Sequence, residues 1–440
     1  MITEHRVEMN RKDRKNFLLI IAAAGTGVYS TAFSGEHHNM LGLYSLIPLL
    51  WLETGTRRSA FLVPFAFYLA VSRGILPGAY VFFRDGSIVR SLALWILSAT
   101  ALSAPFGLLW VNRSVRNAKN TYRKSFQVIL AIFASVPPPL GLIGWGNPLS
   151  VAGVFFPGFG WYGLALMLIL YAGAAISSKL RRALMISVLF IVPFLYVPAT
   201  PEKITVGDVT ILSIDTSFGR MASGSADFDA QYERERYVFR FIHEKRLNGQ
   251  LLGAGNKENR ENRENRENKK IVILPETIIG RMYPTTMRRW ERFFTPFAEE
   301  GIIFIVGGEV PTHRGLKYDN VMTSFERDGA RQIRQIAKQR FPVPVSMFVP
   351  FSATGTNAYL MSLGEISIME IHGKRLGFLI CYEQFLTWPP LTLMSRRPDV
   401  IIGSANLWWC RDTSIPGIRA ASLSLWGRLF DVPLISATNM

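Results

Sequence analysis

The spacing of apolar and polar positions changes near residue 200. Before that point the chain is a succession of apolar stretches, each close to the roughly 20 residues that a bilayer-spanning helix needs. After it, short apolar runs alternate with polar and amphipathic segments, as in a soluble α/β domain. The pattern predicts a transmembrane helical domain at residues 1–199 and an α/β domain at residues 200–440.

Seven apolar stretches in the first domain are predicted to span a membrane. The first stretch is followed by further apolar stretches and not by a soluble chain, so a cleavable signal peptide is not expected. The third stretch contains Arg73, glycines and a proline, and we expect it to break or to re-enter. The predicted spans lie near residues 17–34, 40–53, 59–81, 91–111, 126–145, 151–177 and 183–199.

Charge assigns an orientation to these spans. Residues 1–199 hold 18 basic and 6 acidic side chains, whereas residues 200–440 hold 31 and 26. The basic clusters precede the first span and follow the second, fourth and sixth, and the intervening loops are poor in them. By the positive-inside rule this predicts a multi-pass inner-membrane protein with a cytoplasmic N-terminus and a periplasmic C-terminal domain.

The net charge of +17 does not by itself indicate a nucleic-acid partner, because most of the excess lies beside the apolar spans. The C-terminal half shows no zinc-ligand spacing, no glycine-rich phosphate loop and no aromatic and basic groove pattern. No direct contact with nucleic acid, no metal and no cofactor is expected. Cys381 and Cys410 make no disulfide framework, although a single bond between them is a formal alternative.

The C-terminal half predicts strands that alternate with helices. Between them, residues 253–270 contain a Glu-Asn-Arg triplet repeat with no apolar residue to bury, which predicts a disordered surface insertion; a salt-bridged helix is the alternative. Strands are predicted at 206–214, 271–275, 302–306, 366–371, 376–381, 400–404 and 433–437, and helices at 227–247, 284–300 and 416–430.

Three polar residues stand out against these elements. Glu276 and Cys381 each follow a buried apolar run, and the carboxyl ends of strands are where α/β proteins gather their chemistry. Lys338 lies in a basic cluster. A thiol nucleophile needs a base, which Glu276 supplies, and the oxyanion needs fixed positive charge, which Lys338 and the backbone N–H of Tyr382 supply.

Each of these residues also has a purely structural interpretation. Glu276 suits the start of a helix, Lys338 a solvated surface, and Cys381 an apolar core. No histidine occupies a comparable strand-end position. The conjunction of the three residues is what predicts acyl-transfer chemistry.

The motifs Leu274-Pro275-Glu276-Thr277, Lys338 and Ile380-Cys381-Tyr382-Glu383 resemble the Glu-Lys-Cys triad of the nitrilase, or carbon–nitrogen hydrolase, superfamily. Segments 318–320, 348–350, 404–406 and 428–439 also match that pattern. A helical membrane domain fused to such a domain is similar to the apolipoprotein N-acyltransferases. The whole layout resembles a family of plasmid conjugal-transfer proteins.

The resemblance implies a four-layer αββα sandwich. It implies that Glu276 is the general base, that Cys381 is the nucleophile forming a thioester, and that Lys338 stabilises the oxyanion. Glu383 matches an acidic position of the acyltransferases, and Asn406 falls in their substrate-side segment. The implied partners are the lipid bilayer, a phospholipid acyl donor, a membrane-bound amine acceptor and proteins of the conjugation apparatus.

Three departures from the acyltransferase pattern keep a second hypothesis open. Residues 344–348 carry no carboxylate where those enzymes have a glutamate, the loop at 405–410 is altered, and the sequence stops at Met440, soon after the last matching segment. The first hypothesis is a membrane-anchored cysteine enzyme on the extracytoplasmic face. The second is a non-catalytic membrane component of a DNA-transfer apparatus with a vestigial site.

Overall fold

The computed structural model describes residues 10–83, 87–111, 118–219, 228–249, 269–312, 317–328, 331–345, 347, 355–356 and 367–440. The chain divides into two compact units. The first contains residues 1–199 together with 385–388 and 410–431, and the second contains the remainder of residues 200–440. Residues 253–268 of the predicted insertion, and the motif at 348–350, lie outside the described residues.

The first unit is helical where it is described. Short 3-10 segments lie at His38–Ser45, Leu140–Leu142 and Leu189–Phe194. Its helices are α1 (Arg11–Ala32), α2 (Leu46–Leu52), α3 (Arg57–Val71), α4 (Ile75–Phe83), α5 (Ile88–Leu108), α6 (Ala118–Phe133), α7 (Ala152–Phe155), α8 (Gly160–Ile176), α9 (Lys179–Val188) and α13 (Ile415–Phe430).

The seven predicted spans are not confirmed as seven membrane helices. Within the described residues, α5 alone is long and apolar enough to cross a bilayer, and α3 with α4 would make a second crossing with a 52° bend between them. Helix α1 has 22 residues but begins with the charged segment 11–15. Helix α6 ends before Pro137, and α7 and α8 are separated by Pro157 and Gly158. The break predicted near Arg73 is confirmed by the gap between α3 and α4.

The described surface is unevenly apolar. Of the 35 large apolar side chains that are exposed among the described residues, 29 precede residue 200. Within the first unit, α1 packs closely on α3, since a Cβ atom at Gly27 would lie 2.7 Å from the Cβ of Ala70. Helices α1 and α3 therefore meet at small residues, while many large apolar side chains of this unit are exposed.

The second unit contains two sheets. The first has the order β1-β2-β3-β4-β5-β6, with β7 and β8 also paired to β5, and the second has the order β12-β11-β10-β9. Strands β2, β3 and β4 are parallel, as are β10, β11 and β12. The strands are β1 (Lys203–Val206), β2 (Val209–Ser213), β3 (Lys269–Ile273), β4 (Ile302–Thr312), β5 (Lys317–Asp328), β6 (Arg331–Ile333), β7 (Ile336–Lys338), β8 (Gly355–Thr356), β9 (Ile368–Ile371), β10 (Lys374–Ile380), β11 (Val400–Asn406) and β12 (Leu434–Asn439).

The two sheets pack face to face. Side chains from both fill one core, including Ile273 and Ile305 from the first sheet and Phe378 and Ile402 from the second. Such strands are buried on both faces, which is why they appear in the sequence as continuous apolar runs.

Helices cover the outer faces of this sandwich. The opposite face of the first sheet packs against α10 (Phe228–Leu247) and α11 (Pro284–Glu299), which contribute Val238 and Trp290. On the second sheet, Gly377 packs against α12 (Trp388–Met394). A Cβ atom at this glycine would lie 2.8 Å from Leu393 Cδ1. The prediction of a mixed α/β architecture is confirmed.

Most predicted elements of the second unit are confirmed within a few residues, but two details differ. The strand predicted at 206–214 begins at Val209 as β2 and forms a hairpin with β1, because Gly207 (φ +65°) turns the chain between them. The 12-residue strand β5 was not predicted. It pairs with β4, β6, β7 and β8, and so carries one end of the first sheet.

Candidate active site

Cys381 lies directly after β10, where the strand turns into a 3-10 segment, Cys381–Phe385. Its backbone is left-handed (φ +52°), a conformation that costs a residue with a Cβ atom about 1–3 kcal/mol. Cys381 is 7% exposed. Neither Cys381 nor Cys410 is in a disulfide, so the formal Cys381–Cys410 alternative is not realised.

Glu276 follows β3 in the first sheet and is 3% exposed. The thiol of Cys381 is hydrogen-bonded to its carboxyl group. Asn320 Nδ2 donates to Oε1 at 2.5 Å, and the backbone N–H of Asn406 donates to Oε2 at 2.8 Å. The structure thus brings together two residues that lie 105 positions apart in the sequence.

Burial is the main cause of the ionisation behaviour of Glu276. Desolvation, helped by the nearby charge of Glu309, raises the pKa of Glu276 from an ordinary 4.5 to about 7, although the hydrogen bonds from Cys381, Asn320 and Asn406 oppose that rise. A base whose pKa lies near neutral pH is half ionised there and takes a proton efficiently. The position and the pKa of Glu276 both suit proton transfer from a thiol.

The backbone of Glu276 is held by close packing against β4. Thr277, the next residue, is left-handed (φ +59°). A Cβ atom at Gly307 on β4 would lie 2.4 Å from the Cα of Glu276 and 2.6 Å from the carbonyl oxygen of Pro275. Only glycine allows β4 to pass this close to the residue that carries the base.

Lys338 ends β7 and is paired with a carboxylate of β5. Its ammonium group lies 2.9 Å from Asp319 Oδ2, and its side chain is 56% exposed. The physical reason is strand alternation: Ala337 is buried on β7, so Lys338 points to the opposite, solvent-facing side.

Gln339 takes the inward position next to Lys338 and is 4% exposed. Its Oε1 accepts from Asn320 Nδ2 at 2.9 Å, and its Nε2 donates to the carbonyl oxygen of Ile380 at 3.2 Å. Sequence analysis did not single out Gln339. The signal that could have found it was strand alternation: Ala337 is buried, so Gln339, two residues later, lies on the same face. A shift of one residue in this alternation exchanges the two faces.

Glu383 is fully buried and is held by protein groups, not turned toward a substrate. Its Oε1 accepts from the backbone N–H groups of Arg340 (2.7 Å) and Phe341 (3.2 Å), and from Arg340 Nε (3.4 Å). Its Oε2 accepts from the N–H of Ile380 at 2.9 Å. Glu383 therefore ties the chain after β7 to the residue that precedes the nucleophile.

Asn406 and Tyr382 differ in their contacts with the pair. Besides holding Glu276 through its backbone, Asn406 donates from Nδ2 to Thr277 Oγ1 (2.6 Å) and accepts at Oδ1 from Asn439 (2.8 Å). Tyr382 is partly exposed, and burial of its hydroxyl raises its pKa. Asn406 is thus a support of the base. Among the described residues, no group of three or more His, Cys, Asp or Glu side chains is arranged to hold a metal ion.

Two known proteins are similar to this chain over nearly its whole length. No family model matches the chain. It is 27% identical over 439 residues to a probable conjugal transfer protein TraB from Sinorhizobium fredii, covering 98% of this chain and 100% of that protein. It is also 27% identical to conjugal transfer protein TraB from Agrobacterium fabrum, covering 96% and 92%. The predicted resemblance to conjugal-transfer proteins is confirmed.

Solved structures give a partial overlap. An amidase from Nesterenkonia sp. matches with a TM-score of 0.34 and 11% identity, covering 54% of this chain and 79% of that one. A carbon–nitrogen hydrolase from Helicobacter pylori matches with a TM-score of 0.33 and 11% identity, covering 52% and 72%.

Proposed function

We propose that this protein is a membrane-anchored cysteine enzyme of the carbon–nitrogen hydrolase type that transfers an acyl group through a thioester on Cys381. The proposal rests on one observation, the hydrogen bond between the thiol of Cys381 and the buried carboxyl group of Glu276. The left-handed backbone at the nucleophile adds support, because strain of this kind collects at functional sites.

The chemistry of the proposal needs only these groups and two substrates. Glu276 takes the thiol proton while the sulfur of Cys381 attacks an acyl carbonyl carbon. When the tetrahedral adduct collapses, the bond to the leaving group breaks, and the leaving group receives the proton from Glu276. An amine then attacks the thioester, gives a proton to Glu276 and releases the amide; the proton returns to the sulfur. Water in place of the amine gives hydrolysis.

Membrane anchoring is supported by the exposed apolar side chains of the first unit. Large exposed apolar surfaces are costly in water and indicate contact with a membrane or a partner. Together with α5 and the regular placement of basic loops, they favour a polytopic inner-membrane protein whose residues 200–440 lie outside the cytoplasm. A phospholipid as acyl donor and a membrane-bound amine as acceptor suit such an enzyme.

A role in conjugation is supported by the two conjugal-transfer relatives, which match over nearly the whole chain. We propose that the acyl transfer modifies a component of the conjugation apparatus. Plasmid transfer is then expected to need the chemistry of Cys381 and not only the presence of the protein.

The test uses the full-length protein in detergent–phospholipid micelles. Incubation with phosphatidylethanolamine carrying a labelled acyl chain is expected to label wild-type protein, and hydroxylamine is expected to release the label. Mass spectrometry should place the adduct on Cys381. Cys381→Ala is expected to take no label, and Cys410→Ala, which removes the other thiol, should label as the wild type does. Equal labelling of wild type and Cys381→Ala would overturn the proposal.

One observation favours the alternative of a non-catalytic component. Lys338, the residue predicted to stabilise the oxyanion, is instead paired with Asp319 at an exposed position. In that case Cys381→Ala and wild type are expected to support equal plasmid transfer, while deletion of the gene abolishes it. Transfer that falls with Cys381→Ala at equal protein level rejects the alternative.

A further inference from the structure

Glu276 and Cys381 are joined by a second route besides their own hydrogen bond. It runs from Glu276 to Asn320, from Asn320 to Gln339, and from Gln339 to the carbonyl oxygen of Ile380, the residue before the nucleophile. Asn320 and Gln339 are 2% and 4% exposed, so water has little access to the contacts between them. The mechanism above uses neither amide.

The direction of these hydrogen bonds is fixed at one end. A backbone carbonyl can only accept, so Gln339 must turn its NH₂ group to Ile380 and its oxygen to Asn320. Asn320 must then present its own NH₂ group to Gln339. The two hydrogens of that group are used by the oxygens of Gln339 and Glu276, at 2.9 and 2.5 Å.

Reversing the chain would bring like groups together. If the Asn320 amide turned over, its oxygen would face the oxygen of Gln339, and a turned Gln339 would set its oxygen against the carbonyl of Ile380. In the observed arrangement Asn320 Oδ1 is buried with no hydrogen-bond partner among the described groups. The turned-over Asn320 would satisfy that oxygen by accepting from a protonated Glu276, and Gln339 prevents it.

We propose that Gln339 is a positioning residue, whose fixed orientation makes Asn320 a permanent donor to Glu276 and so keeps that carboxyl group in the state and place that accept a proton from Cys381. The inference rests on the proposed function for its role in catalysis. Its physical content, the donor character of Asn320, is separate and can be measured without any substrate.

Other groups near Glu276 also affect its ionisation or lie close to it. Glu309 on β4 opposes ionisation of Glu276 through its charge, and Asn406 at the end of β11 donates through its backbone. Tyr318 on β5 lies close enough to be influenced by Glu276 and Cys381. None of these groups changes when Gln339 is replaced, so a change in titration isolates the amide relay.

The experiment compares Gln339→Met with Gln332→Met. Methionine keeps the length of the side chain and removes both polar groups; Gln332 on β6 is an exposed glutamine and serves as the control. The carboxylic-acid infrared band of Glu276 is followed from pH 4 to 9, identified by its loss in Glu276→Gln. In Gln339→Met the midpoint is expected to move upward by about one pH unit, a tenfold change in the ionisation equilibrium. In Gln332→Met it should not move.

Acylation of Cys381 gives the second readout. The pH at which its rate reaches half of the plateau is expected to rise with the infrared midpoint, while KM for the acyl donor stays the same. An unchanged midpoint with a lowered plateau would mean that Gln339 only fills space, and would overturn the inference. If Gln339→Met does not fold, Asn320→Leu removes the donor itself and carries the same prediction. If the infrared midpoint moves but wild-type Cys381 is not acylated, the proposed role of Gln339 stands and the proposed acyl-transfer function is rejected.

Discussion

Replacing Glu276 by glutamine is expected to remove a pH dependence of stability that belongs to this one group. The pKa of Glu276 is raised by burial to about 7 in the folded protein, against 4.5 when the group is in water. Between these values the folded state keeps a proton that the unfolded state releases. The free energy of unfolding therefore falls as pH rises from about 4.5 to 7, and the loss is complete above the folded pKa.

The size of the effect follows from that interval. At about 1.4 kcal/mol per pH unit, the interval between 4.5 and about 7 corresponds to roughly 3.5 kcal/mol. For a domain of about 200 residues, a change of about 1 kcal/mol moves the melting temperature by about 2–4 °C, so the whole effect is on the order of 7–14 °C. Glutamine cannot ionise, so the melting temperature of the Glu276→Gln variant should lack this part of the pH dependence.

The assay is thermal unfolding of the full-length protein in detergent at a series of pH values from 5 to 8. Glutamine also leaves one of the donors, Asn320 or the Asn406 backbone, without its oxygen, which lowers the melting temperature at every pH. The difference between wild type and variant should therefore shrink steadily as pH rises. The exposed Glu233 provides the control as Glu233→Gln, which should keep the wild-type slope. Parallel curves for wild type and Glu276→Gln would refute the reasoning.

Three further outcomes are expected. Gly307→Ala forces a methyl group to within 2.4 Å of the Glu276 backbone and should slow acylation of Cys381 at least about tenfold, whereas Gly173→Ala, with open space around it, should not; equal rates would contradict the packing argument. Lys338→Ala should leave the acylation rate within about threefold, because the side chain is turned to solvent; a loss of about 100-fold would show that the lysine reaches the oxyanion during reaction. Glu383→Gln removes the negative charge that lies 3.4 Å from the buried guanidinium of Arg340, and it should destabilise the protein by about 3–5 kcal/mol, measured by denaturant unfolding. The paired replacement Arg340→Met with Glu383→Leu should recover part of that loss.

The sequence alone determined the local pattern of this protein. Apolar runs with glycine, proline and polar residues at their ends predicted β3, β4, β10, β11 and β12, because buried parallel strands expose neither face to water. For the same reason Glu276 and Cys381, the polar residues that directly follow two of those runs, were identified as the candidate pair. The pattern also separated a strongly apolar first half from an α/β second half.

Tertiary structure decided what those residues contact. Whether Lys338 or Gln339 faces the pair depends on the register of β7 against β5, and a strand inverts its faces with a shift of one residue. Asn320 lies on β5, whose place in the sheet comes from pairing with four other strands, so its contact with Glu276 has no local signal. The pKa of Glu276 is likewise a property of burial between two sheets, since desolvation arises only once distant strands have packed.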